Sequence, residues 1–160
     1  MDPLLTLAFS LVIAVVSSWV TVNLSLRRYH SERWWDRKAE AYSAVIEALH
    51  HSKAFSDEHL SAAQRGRDLS EDRDQELRDR ARKANAEIAK AADVGAFLLS
   101  EEALTRLRKY QVEDAKASNT DSWLDYILAD QTATASCLDD IIEIAKRDLR
   151  PESPLFRWFR

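Results

Sequence analysis

The chain has 160 residues, enough for one domain of ordinary size, and its two glycines and three prolines are too few for a protein rich in turns and strands. These counts predict an all-α fold. Residues 27–38 carry a net charge of +3 and residues 147–160 carry +2, which leaves −8 on residues 39–146 once Asp2 is counted. This acidic middle argues against nucleic-acid binding, which needs a basic face.

The first predicted element is a membrane-spanning helix at residues 3–26. This stretch, PLLTLAFSLVIAVVSSWVTVNLSL, contains no charged residue. As a helix it is about 36 Å long, whereas the hydrocarbon core of a bilayer is about 30 Å thick. A cleaved signal peptide is the alternative, but it needs a positive start, and this chain begins with MDP. The pattern therefore favours a permanent anchor.

The basic residues beside this span predict its orientation. None precedes the span, whereas Arg27 and Arg28 follow it directly and further basic residues lie within the next ten positions. Positive charge stays on the cytoplasmic side, so we expect the N-terminus outside and residues 27–160 inside, at the inner (plasma) membrane of a cell. Tyr29, Arg33 and Trp34 would then lie at the membrane interface.

Small residues recur every four positions along one face of the span. They are Thr6, Ser10, Ala14 and Ser18. Small residues at this spacing let two helices approach closely in lipid, which predicts self-association. The alternative is that the serine and threonine hydroxyls only bond to their own backbone.

The rest of the chain predicts a bundle of about four antiparallel helices over residues 27–149. Apolar side chains recur at helical spacing, and the connections between the periodic segments are short. Nothing between Leu26 and Ala39 breaks a helix, so the anchor is expected to continue into the first bundle helix. The first bundle helix is expected to have core positions from Trp35 to Leu49 and to be followed by a loop at Gly66. The second helix is expected to run from an N-cap at Ser70 to Leu98, and the third to begin at an N-cap at Ser100. After a turn at residues 118–121, the fourth helix is expected to start at Trp123 and to be ended by Pro151.

A tail rich in aromatic and basic residues, residues 150–160, follows the bundle. In an up-and-down bundle the fourth helix returns toward the membrane, where Phe156, Trp158 and Phe159 would suit the headgroup region. Capping of the bundle core or contact with a partner are the alternatives. Trp34 is the residue we expect the tail to meet, whereas Trp35 falls on the predicted core stripe.

No arrangement of residues in the sequence points to a catalytic or metal site. Glu47 and His50 have the spacing used in di-iron bundles, but the second pair that such sites need is absent. Cys137 lies on an apolar stripe and is predicted to be a core residue. The carboxylates alternate with lysine and arginine, which is typical of a solvated helix face. We therefore predict a protein that is not an enzyme and has no cofactor and no small-molecule substrate.

The stretch WWDRKAEAYSAVIEAL resembles a pattern of short bacterial single-pass membrane proteins, in which an aromatic pair and an Arg-Lys pair follow an N-terminal anchor. The resemblance covers roughly residues 5–50. It implies a bacterial inner-membrane setting, and no activity comes with it.

These features predict a single-pass membrane protein that presents a helical bundle at the inner membrane face as an interaction or scaffold module. Its expected partners are the lipid bilayer and either a second copy of the chain or another protein. The alternative is an oligomerising effector that perturbs the membrane, such as a toxin or an anti-phage component, with the polar face of the span lining a pore.

Overall fold

The structure is a computed structural model that describes the backbone of residues 3–150, and the side chains of residues 16–22, 25 and 33–150. Four long helices follow one another, and the described residues contain no strand. The predicted all-α helical bundle is therefore confirmed. The helices are α1 (Pro3–Gln64), α2 (Glu71–Val94), α3 (Glu101–Ala117) and α4 (Trp123–Asp148), with a short 3₁₀ helix at Gly95–Phe97.

Helix α1 is continuous over 62 residues, as expected from the absence of a helix breaker after the predicted span. It ends at Gln64, and Gly66, two residues later, has a left-handed backbone with φ of +61°. The Arg67 amide donates to the Ala62 carbonyl and the Gly66 amide donates to the Ala63 carbonyl, at 3.1 and 3.0 Å. These two bonds form a Schellman motif, which satisfies carbonyls that the last turn of a helix leaves open.

The chain divides into two compact units, Met1–Arg37 and Lys38–Arg160, and the boundary falls inside α1. In the first unit, the described side chains are exposed, including Val16, Trp19 and Val22. The second unit contains every buried side chain that the structure describes.

The part of the chain described with its side chains has no helix that is both long and apolar enough to cross a membrane. Residues 3–15, more than half of the predicted span, lie outside that part. The assignment of residues 3–26 as a membrane span therefore stays a prediction.

Serines begin three of the helices. Ser70 occupies the N-cap position of α2, although its side chain makes no capping bond. The Ser100 hydroxyl accepts from the Ala103 amide at 3.3 Å, and Ser122 accepts from the Asp125 amide at 3.4 Å. Acidic residues in the first turns favour the same starts because the helix dipole is positive there.

The predicted end of the second helix at Leu98 is wrong. Helix α2 ends at Val94, and Gly95 begins the 3₁₀ turn. A Cβ atom on Gly95 would lie 2.9 Å from Leu99 Cδ1, so the missing side chain lets the turn fold back closely on Leu99. The glycine at this position therefore permits a tight contact at the point where the chain turns.

The core of the bundle begins at Tyr42, which corrects the prediction for Trp35. Trp35 is 45% exposed and Trp34 is 54% exposed, whereas Tyr42 is 1% exposed. Helical spacing puts Trp35 in line with Tyr42, but spacing cannot show where the packing of other helices starts. The main core cluster comprises Tyr42, Val45, Ala48, Leu49, Ala84, Ile88, Ala92, Leu99, Ala103, Leu104, Leu107, Tyr110, Cys137, Ile141, Ile144 and Ala145.

At this end of the core, the Tyr42 hydroxyl joins α1 to the end of α4 and to the start of α3. It donates to the Asp148 carboxylate at the end of α4 and lies 3.2 Å from the Ser100 hydroxyl at the start of α3. Lys38 Nζ lies 3.7 Å from Asp148. The phenol of Tyr42 is thereby hydrogen-bonded although the residue is buried, as a stable core requires.

Candidate functional site

The residues that the sequence places at the membrane are only partly described. Arg33 and Trp34 are exposed on α1, and so is Ser18. The side chains of the other predicted residues of α1 are not among those described: Thr6, Ser10, Ala14, Arg27, Arg28 and Tyr29. Phe156, Trp158 and Phe159 lie outside the described residues, together with the rest of residues 151–160. The interface and association roles of these residues stay predictions.

Cys137 is fully buried in the main core cluster, as predicted. Burial raises the pKa of its thiol to about 12, because the thiolate would lose its hydration. Among the described residues, no group of His, Cys, Asp and Glu side chains is arranged to hold a metal ion. His51 lies 3.8 Å from Glu47, and His50 is exposed.

A polar network crosses the interior of the bundle and joins all four helices. The Tyr110 hydroxyl of α3 accepts from Thr134 of α4 at 3.3 Å and lies 3.2 Å from the Ser52 hydroxyl of α1. Ser52 in turn donates to Asn85 Oδ1 of α2, at 3.2 Å. Burial raises the pKa of Tyr110 to about 12, so the phenol stays neutral. Such a network specifies how the helices are aligned along their axes.

Two carboxyl groups, Asp114 and Asp130, lie beside this network. Asp130 is 3% exposed and accepts a hydrogen bond from Ser56, which is itself fully buried. Burial, with a smaller contribution from the carboxyl of Asp114, raises the pKa of Asp130 to about 6. Burial also raises the pKa of Asp114, which is hydrogen-bonded to Asp130. Two bonded carboxyls need one proton between them, so the pair shares a proton when the pH falls below the pKa.

A cavity of about 330 Å³ lies against one member of this pair, Asp130. Its lining comes from α1, α2 and α4: Ser52, Phe55, Arg78, Ala81, Arg82, Asn85, Tyr126 and Asp130. Arg78 Nε lies 2.9 Å from Asp74 Oδ2, and Arg82 pairs with Asp79. The cavity thus combines two aromatic rings, three buried or half-buried polar groups and two arginines that already have carboxylate partners.

A second concave surface, which we call the α1–α2 groove, has a volume of about 880 Å³. Small side chains form most of its walls: Ala41, Ala44, Val45 and Ala48 of α1, and Ala84, Ala91 and Val94 of α2. Charged residues flank it, with Glu47 on the α1 side and Arg80, Lys83, Glu87 and Lys90 on the α2 side. Walls built from alanine allow a helix to approach closely.

An aromatic cluster lies near the turn into α4. His59 is 4.5 Å from the Phe55 ring and 5.3 Å from the Trp123 ring, both edge-on. Burial lowers the pKa of His59, which favours the neutral ring. His59 Nε2 and Asp74 Oδ1 lie 3.1 Å apart, although their angles do not make a hydrogen bond. The cluster packs neutral and apolar surface beside the cavity.

The carboxyl pair is the feature that sequence reasoning missed, because all carboxylates were assigned to solvated faces. The sequence does contain an indication that Asp130 is buried. Asp130 falls between Ile127 and Thr134 at the spacing of the predicted core stripe of the fourth helix, and a charged residue on such a stripe is rarely solvated. Asp114 carries no comparable signal.

Comparison of the chain with protein-family models, with curated proteins and with solved structures finds no match.

Proposed function

We propose that the chain is a single-pass membrane protein whose helical bundle serves as an interaction module on the cytoplasmic face. One observation carries the proposal: α1 runs without interruption from Pro3 to Gln64, through the uncharged stretch 3–26 and into the bundle core. An uncharged stretch of this length has the dimensions of a membrane span. Arg27 and Arg28 directly after it favour the cytoplasmic side for the bundle.

Fractionation and topology mapping test the anchor. The full-length protein should stay in the membrane pellet after extraction at alkaline pH. A cysteine at Asn119, which is exposed in the turn after α3, should react with a membrane-impermeant maleimide only after the cells are opened. The unmodified chain is the control, since its one cysteine is buried. Release at alkaline pH, or labelling in intact cells with a periplasm-permeable outer membrane, would contradict the proposal.

The α1–α2 groove is the surface we assign to self-association. Ser52 bonds to Asn85 across the antiparallel pair, which puts Glu47 at about the level of Lys90 on the opposite side of the groove. With a two-fold axis parallel to the two helices, α1 of one copy faces α2 of the other. The acidic side of each groove then meets the basic side of its partner, twice in one dimer.

A charge-swap experiment tests this assignment in detergent-solubilised, full-length protein. Glu47→Lys and Lys90→Glu should each weaken the homodimer, because both symmetric contacts become repulsive. A mixture of the two variants should restore association, since both contacts in the mixed dimer are attractive again. Glu143→Lys, an exposed reversal on α4, is the control. Dimers that resist both single variants would assign association to another surface and leave the anchor untouched.

A membrane-perturbing effector is the second candidate function. It is supported by a line of exposed hydroxyl side chains on α1, at Ser17, Ser18, Thr21 and Ser25. The Thr21 hydroxyl donates to the Ser17 carbonyl at 2.8 Å. The hydroxyl hydrogen of Thr21 therefore has an acceptor within the helix and does not need a water-filled pore. Overexpression should collapse the membrane potential if the effector hypothesis holds, and leucine at Ser10, Ser17 and Thr21 should prevent the collapse. An unchanged potential at high expression would eliminate it.

A further inference from the structure

We propose that the cavity beside Asp130 binds a small primary amine, whose ammonium group is held by the Asp130 carboxylate next to the rings of Phe55 and Tyr126. This inference concerns the bundle alone and does not depend on the membrane anchor.

The charge of the carboxyl pair has no cationic partner among the described side chains. Asp130 is nine-tenths buried or more, and neither it nor Asp114 forms an ion pair with a lysine or arginine among the described residues. An ionised carboxylate in such a place lacks the counter-ion that buried charges normally require. A proton can fill this role at low pH. At neutral pH, a cation that enters the open cavity beside Asp130 would do so instead.

The lining of the cavity offers hydrogen-bond acceptors that suit an ammonium group. The ammonium of a primary amine has three N–H donors. Three acceptors line the cavity: the Asp130 carboxylate, the Ser52 hydroxyl oxygen and Asn85 Oδ1, which accepts only one hydrogen bond, from Ser52, among the described residues. Phe55 and Tyr126 also line the cavity, and an aromatic ring attracts a cation that lies over its face.

The arginines at the cavity do not reverse this preference. Arg78 is paired with Asp74, and its guanidinium also lies 5.5 Å from the centre of the Trp123 ring. Arg82 is paired with Asp79. These four charges cancel, so the uncompensated charge among the lining residues is that of Asp130. The same pairing argues against an anion as the ligand.

The volume limits the size of the ligand. About 330 Å³ is at the lower end of the range for small-molecule sites, which fits an amine with a short alkyl chain better than a large cofactor. The apolar atoms of Phe55, Ala81 and Tyr126 would cover that chain.

Titration calorimetry on the full-length protein in detergent tests the proposal, with n-butylamine and putrescine as probes at pH 7.5. Both amines should bind, whereas n-butanol, which has the same shape without the charge, should not. Asp130→Asn should weaken amine binding at least tenfold. Asp139→Asn, an exposed carboxylate on the same helix, should leave it unchanged.

Binding at pH 5 should be weaker by about tenfold, because roughly one tenth of a group with a pKa of about 6 is then ionised.

Two further measurements keep the outcome clear. Ala81→Leu fills the cavity and retains both carboxyls, so it should also abolish binding; a circular dichroism spectrum shows whether each variant is folded. Potassium chloride and sodium chloride are titrated separately. If an inorganic cation saturates the site and the amines do not bind, the ligand is a metal ion and the proposal of an amine is wrong. The proposal is overturned by amines that do not bind, by butanol that binds equally, or by amine binding that survives both Asp130→Asn and Ala81→Leu in folded protein.

Discussion

At the scale of single residues, Asp130 is a group whose ionisation opposes folding. The Asp130 carboxyl is almost fully buried, and its hydrogen-bond partners are Ser56, Thr134 and the carboxyl of Asp114. Since the pKa of Asp130 is higher in the folded protein than its ordinary value of 3.8, the folded state binds more protons than the unfolded state between about pH 4 and pH 6. The free energy of unfolding therefore falls as the pH rises through this interval.

Asp130→Asn should remove this dependence. The variant keeps a side chain of the same shape that can still accept from Ser56, and it cannot ionise. Relative to the unmodified chain, it should gain stability on the order of 2–3 kcal/mol as the pH rises from 4 to 7. Urea titrations at both pH values measure the difference. Parallel stability curves for the two proteins would show that the carboxyl is not held in the raised-pKa state.

At the scale of helices and turns, most boundaries follow from local chemistry. Ser70 and Ser100 precede acidic first turns, and Gly66 supplies the left-handed residue that ends α1, so these boundaries were predictable. The end of α2 was not, because Gly95 has ordinary helical φ and ψ values. Its role depends on how closely Leu99 folds back, and that distance is set by tertiary packing.

The two glycines should respond differently to substitution. Gly66→Ala forces a side chain into a left-handed backbone and should cost about 1 kcal/mol, although the space around it is open. Gly66→Asn should cost less, since asparagine tolerates this conformation. At Gly95 the order should reverse, because the larger side chain must displace more of Leu99. Thermal unfolding of the four variants checks this order; equal costs for Ala and Asn at Gly66 would contradict the backbone explanation.

At the scale of the whole molecule, the buried core belongs to one of the two units. Every residue of the main core cluster lies between Tyr42 and Ala145, and so does every residue of a smaller buried cluster formed by Phe55, Leu77 and Ile127. The all-α class and the number of bundle helices could be predicted, because helical spacing repeats through this region. The start of the core could not, since Trp35 and Tyr42 satisfy the same spacing and differ only in whether other helices pack around them.

A fragment of residues 38–160 should therefore fold without the first unit. We expect it to remain in solution, to give a helical circular dichroism spectrum and to unfold in one cooperative transition near that of the bundle in the full-length protein. Removing residues 1–37 deletes none of the side chains in the core clusters. A fragment that shows no cooperative transition would mean that residues before Lys38 are needed for folding.

The burial of Cys137 has a kinetic consequence. Because the only thiol of the chain is fully enclosed, a thiol reagent can reach it only while the bundle is open. The rate of modification, divided by the rate for the chain in urea, then equals the fraction of time spent open. We expect the native rate to be lower by roughly a thousandfold or more for a bundle of ordinary stability. A modification rate close to that in urea would show that the interior opens readily. The reactivity of Cys137 thus measures how often the native bundle opens, without any substitution in the chain.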